Sequence, residues 1–127
     1  MIKIGEIQDL KIVKRTDFGV YLGDETEKVL LPGKQVPEDA VIGDSVTVFI
    51  YRDSQDRLIA TTREPMLVLG QVARLEVKDT GKIGAFLDWG LEKDLFLPFK
   101  EQTYKVRPGD DCLVALYVDK SGRLCAT

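Results

Sequence analysis

Phe18-Gly19-Val20-Tyr21-Leu22 and, about 65 positions later, Ile83-Gly84-Ala85-Phe86-Leu87 share a glycine followed by alternating apolar residues. The correspondence extends outward in both directions. Upstream, Gly5 meets Gly70, Ile7 meets Val72 and Leu10 meets Leu75. Downstream, after one extra residue in the second copy, Leu30-Leu31-Pro32 meets Phe96-Leu97-Pro98, Gly43-Asp44 meets Gly109-Asp110, and Tyr51 meets Tyr117. Arg57-Leu58-Ile59-Ala60-Thr61 meets Arg123-Leu124-Cys125-Ala126-Thr127 at the close. Two copies of one module, residues 1–64 and 65–127, are therefore expected, each small enough to bury only about 60% of its unfolded surface.

Within the first copy, Gly5 to Val13 reads as a strand whose apolar positions slip once out of alternation, the mark of a bulge or a coiled strand. Arg15-Thr16-Asp17 reads as a turn, Phe18 to Leu22 as a second strand bent at Gly19, and Asp24 to Glu27 as another turn. Val29 to Pro32 is a short strand ended by proline, and Gly33 to Ile42 permits one helical turn at most. Val46, Val48 and Ile50 alternate with Thr47, Phe49 and Tyr51 in a fourth strand, followed by a hairpin turn at 53–56 into Arg57 to Thr62. The second copy repeats this order, and Arg63-Glu64-Pro65-Met66 is a stiff connector. Five short strands without helical periodicity fit a small closed Greek-key barrel, with an SH3-like barrel as the competitor that strand count does not separate.

Composition narrows the function. The 127 residues are 44% apolar and 31% charged, and no apolar run approaches the roughly 20 residues of a membrane span. Met-Ile-Lys-Ile-Gly is not a secretory leader, so a cytoplasmic address is expected. Net charge is −3, with 9 basic and 12 acidic groups in residues 1–64 against 9 of each in 65–127. Nucleic-acid affinity would then come from a local patch plus stacking, not from the overall field. The chain has no histidine, which removes the commonest general base, and no phosphate loop or nucleophile signature replaces it. No enzyme, cofactor or metal is expected. Asp24-Glu25-Thr26-Glu27 and Glu38-Asp39 lack calcium-loop spacing and read as solvated turns. Cys112 and Cys125 replace Val46 and Ile59 and read as small core hydrophobes in facing strands.

Each copy resembles the S1 RNA-binding domain, a five-stranded OB-fold barrel. The residues that carry the likeness are Gly5-Glu6-Ile7, Phe18-Gly19-Val20-Tyr21-Leu22, Ile42-Gly43-Asp44, Asp53 and Arg57-Leu58, then Gly70-Gln71-Val72, Ile83-Gly84-Ala85-Phe86-Leu87, Pro108-Gly109-Asp110, Asp119 and Gly122-Arg123-Leu124. Where the family has His-Ile-Ser, this chain has Leu31-Pro32-Gly33 and Leu97-Pro98-Phe99, so the histidine contact to RNA is missing. Ile83 also stands where the second copy's first aromatic belongs. The Leu-Pro and Arg-Leu-x-Ala-Thr variants are similar to the conserved virulence factor B family, whose members join several S1 modules to a winged-helix domain. The resemblance implies that this chain corresponds to the amino-terminal part of such a protein and acts in gene-expression regulation.

The expected architecture is thus all-β, two tandem five-stranded OB-fold barrels of S1 type. The expected ligand is single-stranded RNA, stacked on rings and held by local cations with weak sequence preference. Phe18 and Tyr21 are the candidate rings of the first copy, facing one way only if Gly19 permits a bulge; otherwise Phe18 belongs to the core. Phe86 is their counterpart. Tyr51 and Tyr117 lie opposite the core-facing side of strand four, where surface placement is expected. Arg57 and Arg123 either contact phosphate or base, or pair with Asp53 and Asp119 across the hairpin, and the two roles are compatible. Lys34 and Lys100 follow the Leu-Pro segments, near phosphate or simply solvated. Trp89, in a loop, either stacks on a base or packs. A protein-interaction or spacer module, with RNA binding elsewhere in a longer protein, is the competing reading.

Overall fold

A computed structural model describes residues 2–102 and 105–127. The chain divides into two compact units, Met1–Glu64 and Pro65–Thr127. The first contains β1 (Ile7–Thr16), β2 (Gly19–Gly23), β3 (Lys28–Pro32), a 3₁₀ turn (Gly33–Gln35), β4 (Ser45–Arg52) and β5 (Leu58–Thr61). The second repeats the order with β6 (Val72–Thr80), β7 (Gly84–Asp88), β8 (Leu95–Pro98), a 3₁₀ turn (Phe99–Glu101), β9 (Asp111–Val118) and β10 (Leu124–Ala126).

Each unit is a closed barrel, β1-β2-β3-β5-β4 in one and β6-β7-β8-β10-β9 in the other. A parallel contact, Leu30 beside Ile59 on β3 and β5, recurs as Phe96 beside Cys125 on β8 and β10. That crossover order is the OB-type Greek key and eliminates the SH3-like competitor.

Closure depends on a long first strand that pairs on both sides. Residues 7–11 of β1 pair with β4, residues 12–16 pair with β2, and the register shifts between Ile12 and Lys14. The extra residue bends and twists β1 enough to serve both neighbours. β6 has the same shift between Val77 and Asp79. The bulge falls at Ile12–Lys14, past the Ile7–Leu10 slip in the apolar pattern, which lies in the stretch paired in unbroken register with β4. β1 also runs on through Arg15 and Thr16, which the sequence assigns to a turn; only Asp17 and Phe18 form it.

Inside the first barrel, Ile12, Val20, Leu22, Val29, Leu31, Val46, Val48, Ile50 and Ala60 are buried in one cluster. A fully buried aliphatic side chain of this size contributes about 1.5–3 kcal/mol of transfer free energy. Trp89 is buried and its indole Nε1 donates to the Lys93 carbonyl at 2.6 Å, so it packs as a loop anchor. Among the described residues no helix is long and apolar enough to cross a membrane.

Candidate functional site

Residues of opposite parity to the core form a second, outward row. On the first barrel Lys14 of β1 stands opposite Tyr21 of β2, Tyr21 opposite Leu30 of β3, Leu30 beside Ile59 of β5, and Ile59 opposite Tyr51 of β4. All five strands therefore contribute one residue to a continuous line across the outside. Tyr21, Leu30 and Ile59 are half-buried. Tyr51 departs from the expectation of surface placement: it is only 7% exposed, with the Phe49 ring stacked along it at 6.3 Å and 23°. Two adjacent apolar rings on the same outer side of β4 gain by excluding water together.

Phe18 lies outside the ladder, at the tip of the β1–β2 turn, and is 80% exposed. This removes the alternative of a core Phe18 and resolves the parity conflict with Tyr21, because the chain reverses at Asp17 and Phe18, before β2 begins at Gly19. Gly19 has φ +146°, and a Cβ built there would lie 2.1 Å from the Leu31 carbonyl oxygen. Only glycine fits so close a backbone crossing. The turn is braced: Phe18 N–H donates to Thr16 Oγ1, that hydroxyl donates to the Gly19 carbonyl, and Gly33 N–H donates to the Phe18 carbonyl at 2.9 Å.

The opposite end of the row is set by the β4–β5 hairpin. Asp53 Oδ1 accepts from the Gln55 and Arg57 N–H groups, and Oδ2 accepts from Arg57 Nε and pairs with Nη2, both at 3.1 Å. Partial burial raises the Asp53 pKa, yet the Arg57 and Gln55 amides and the Arg57 guanidinium outweigh it and hold the carboxyl below its usual range. The Arg57 side chain remains 70% exposed, so its pairing fixes the plane without hiding it. Phe18 adjoins the Pro32 end of β3, while Arg57 precedes Ile59 toward the Lys28 end; Tyr21, opposite Leu30, lies between two cationic ends. Lys34, exposed on the 3₁₀ turn, marks the first. Gln35 holds that turn to the barrel, its Oε1 accepting from Thr61 Oγ1 and Thr62 N–H, both at 2.8 Å.

On the second barrel the equivalent row is Asp79, Phe86, Phe96, Cys125 and Tyr117. Phe86 and Phe96 contact at 5.5 Å, and Phe86 and Tyr117 are half-buried. Asp119 Oδ1 accepts from the Ser121 hydroxyl and from the Ser121 and Arg123 amides. The Ser121 hydroxyl first, then these amides, bring its pKa down to about 2 against some desolvation. Arg123 is exposed beside it, and Lys100 sits on the second 3₁₀ turn, latched by Thr127 Oγ1 donating to Glu101. Asp79 stands where the first barrel has Lys14, so that edge of the second row is acidic.

Cys112 faces inward opposite Leu75, as expected. Cys125 is buried but belongs to the outer row between Phe96 and Tyr117, so the two cysteines are not neighbours across one core. Burial, then the Asp119 charge, push the Cys125 thiol up to about 11. Neither cysteine is in a disulfide, and the Cys125 thiol donates to Asp119 Oδ2 at 3.6 Å. Lys14, Leu30, Ile59, Phe96 and Phe99 escape a reading based on motif positions. Alternation beside the core residues Leu31 and Leu97 is the signal that exposes Leu30 and Phe96.

The description "S1 domain" matches residues 4–63 and again 69–127. The chain is 36% identical over 96% of its length to the uncharacterized protein YitL of Bacillus subtilis, and 26% identical over 95% to conserved virulence factor B of Staphylococcus aureus. It spans 43% of each of those proteins. The fold matches, at TM-score 0.83 and 22% identity, 98% of this chain to 45% of a multidomain protein with nucleic acid binding domains from Streptococcus pneumoniae. With both barrels matched almost end to end, the chain belongs to the S1 domain family, as a tandem pair resembling conserved virulence factor B.

Proposed function

We propose that the chain binds single-stranded RNA along the outer rows, with the first barrel the stronger site, as part of a longer regulator of gene expression. The observation that carries this reading is the exposed Phe18 ring, held before Gly19 at the Lys34 end of β3, with the Asp53-anchored Arg57 toward the other end. Bases stack on such rings at about 1–3 kcal/mol each, whatever their identity, and the flanking cations meet phosphate. Membership of the S1 family and the likeness to a protein with nucleic acid binding domains support the same reading. Tyr51, being buried, is not a stacking surface in this proposal; Tyr117, Arg123, Lys100 and Phe86 serve the second barrel.

The test is a titration of fluorescent U-rich and A-rich single strands against the wild-type chain and a Phe18→Ala/Tyr21→Ala variant at two salt concentrations. Similar affinity for both strands, a fall with added salt, and at least about a tenfold loss in the variant are expected. Equal binding by variant and wild type removes this site.

A further inference from the structure

Barrel two lacks the first ring of the family pattern, since Ile83 occupies it, 68% exposed. The structure supplies a ring at the same turn from the other side. Gly33 N–H donates to the Phe18 carbonyl in barrel one; in barrel two the corresponding donor is Phe99 N–H, reaching the Ile83 carbonyl at 3.3 Å. Phe99 is 46% exposed. Three residues earlier on β8, the Phe96 ring lies against the backbone of Gly84, next to Ile83: a Cβ there would meet the ring at 2.7 Å. Phe96 in turn contacts Phe86 at 5.5 Å. Barrel one has Leu30 and Gly33 at the positions of Phe96 and Phe99. Charge moves with the rings, because Lys82 precedes Ile83 where Asp17 precedes Phe18, and Lys100 follows Phe99.

We propose that barrel two is a second stacking site for single-stranded RNA whose rings come from β8 and the following 3₁₀ turn, with Phe99 taking the place that Phe18 holds in barrel one. This rests on the RNA-binding reading above. A base laid on Phe99 would have the Phe96–Phe86 pair on the adjoining strands and, for its phosphates, Lys82 and Lys100 next to the two residues joined at this turn. Two sites on one chain make affinity rise with strand length, through the second site's effective concentration.

The test uses the full chain and uridine strands of about 6 and about 20 nucleotides. In the Phe18→Ala/Tyr21→Ala background, residual binding is expected, and adding Phe99→Ala lowers it at least about fivefold, the lower end for one stacked base. Phe99→Leu should match the alanine, whereas Phe99→Trp retains affinity and its emission responds to RNA, Trp89 being buried. An unchanged circular-dichroism melt separates loss of contact from loss of fold. Residual binding indifferent to Phe99→Ala, or none left once Phe18 and Tyr21 are removed, overturns the second site while the first stands. A wild-type chain that binds neither strand overturns both.

Discussion

The Arg57 guanidinium closes on Asp53 through Nε and Nη2, both at 3.1 Å, across a hairpin whose backbone that same carboxylate already ties together. One acid thus shapes the turn and aims the cation. Asp53→Asn keeps the size but weakens both tasks, and a loss of about 1 kcal/mol in chemical denaturation is expected, with RNA affinity reduced. Arg57→Ala should lower RNA affinity similarly for all sequences and reduce the slope of log K against log salt by up to about 1. An unchanged slope would mean that Arg57 only braces the hairpin.

Gly19→Ala is expected to cost about 2–4 kcal/mol, read as a lowered midpoint in urea, because the new methyl cannot coexist with the Leu31 carbonyl at 2.1 Å without moving β2 from β3. The same change shifts Phe18, so RNA affinity falls even where the variant is still folded.

Asp56 adopts φ +66° at the hairpin position where the second copy has Gly122 at φ +84°. Asp56→Gly relieves that left-handed strain and should raise stability by about 0.5–1 kcal/mol, measured by thermal unfolding. Gly122→Asp should do the reverse.

Two groups make stability depend on pH at opposite extremes. The Asp119 pKa is depressed to about 2 from 3.8, so its contribution is present above about pH 4 and is lost as pH falls toward 2. Asp119→Asn should flatten the acid limb of a pH–Tm curve. Cys125 is raised to about 11 from 9.0, so its contribution is complete below about pH 9 and is lost as pH rises through 11. Cys125→Ser should flatten the alkaline limb. At pH 8 both buried thiols should react with a disulfide reagent only after denaturant is added.

Several features were legible in the residues alone. The Gly5/Gly70 to Thr61/Thr127 correspondence predicts two like barrels, and the Asp53–Arg57 spacing offers a cross-hairpin pair as one of two compatible roles for the arginine. The slip between Ile7 and Leu10 predicts a bulged or coiled first strand, and β1 is bulged, though at Ile12–Lys14. Each depends on contacts between residues close in sequence or on strict alternation, which short windows encode. Arg15 and Thr16 read as turn yet belong to β1, because polar residues at the end of a strand that outruns its barrel look like loop.

The amino-acid sequence by itself determined the repeat, the alternation that separates core from exterior, and the hairpin that positions Arg57. Only the tertiary structure decided that Phe18 leaves the ladder at Gly19, that Tyr51 is buried beside Phe49, and that Tyr21, Leu30 and Ile59 share one line. It also placed Phe99 against Ile83. These relationships join strands distant along the chain, above all the parallel contact of β3 with β5, and their register is set by barrel closure rather than by any local preference.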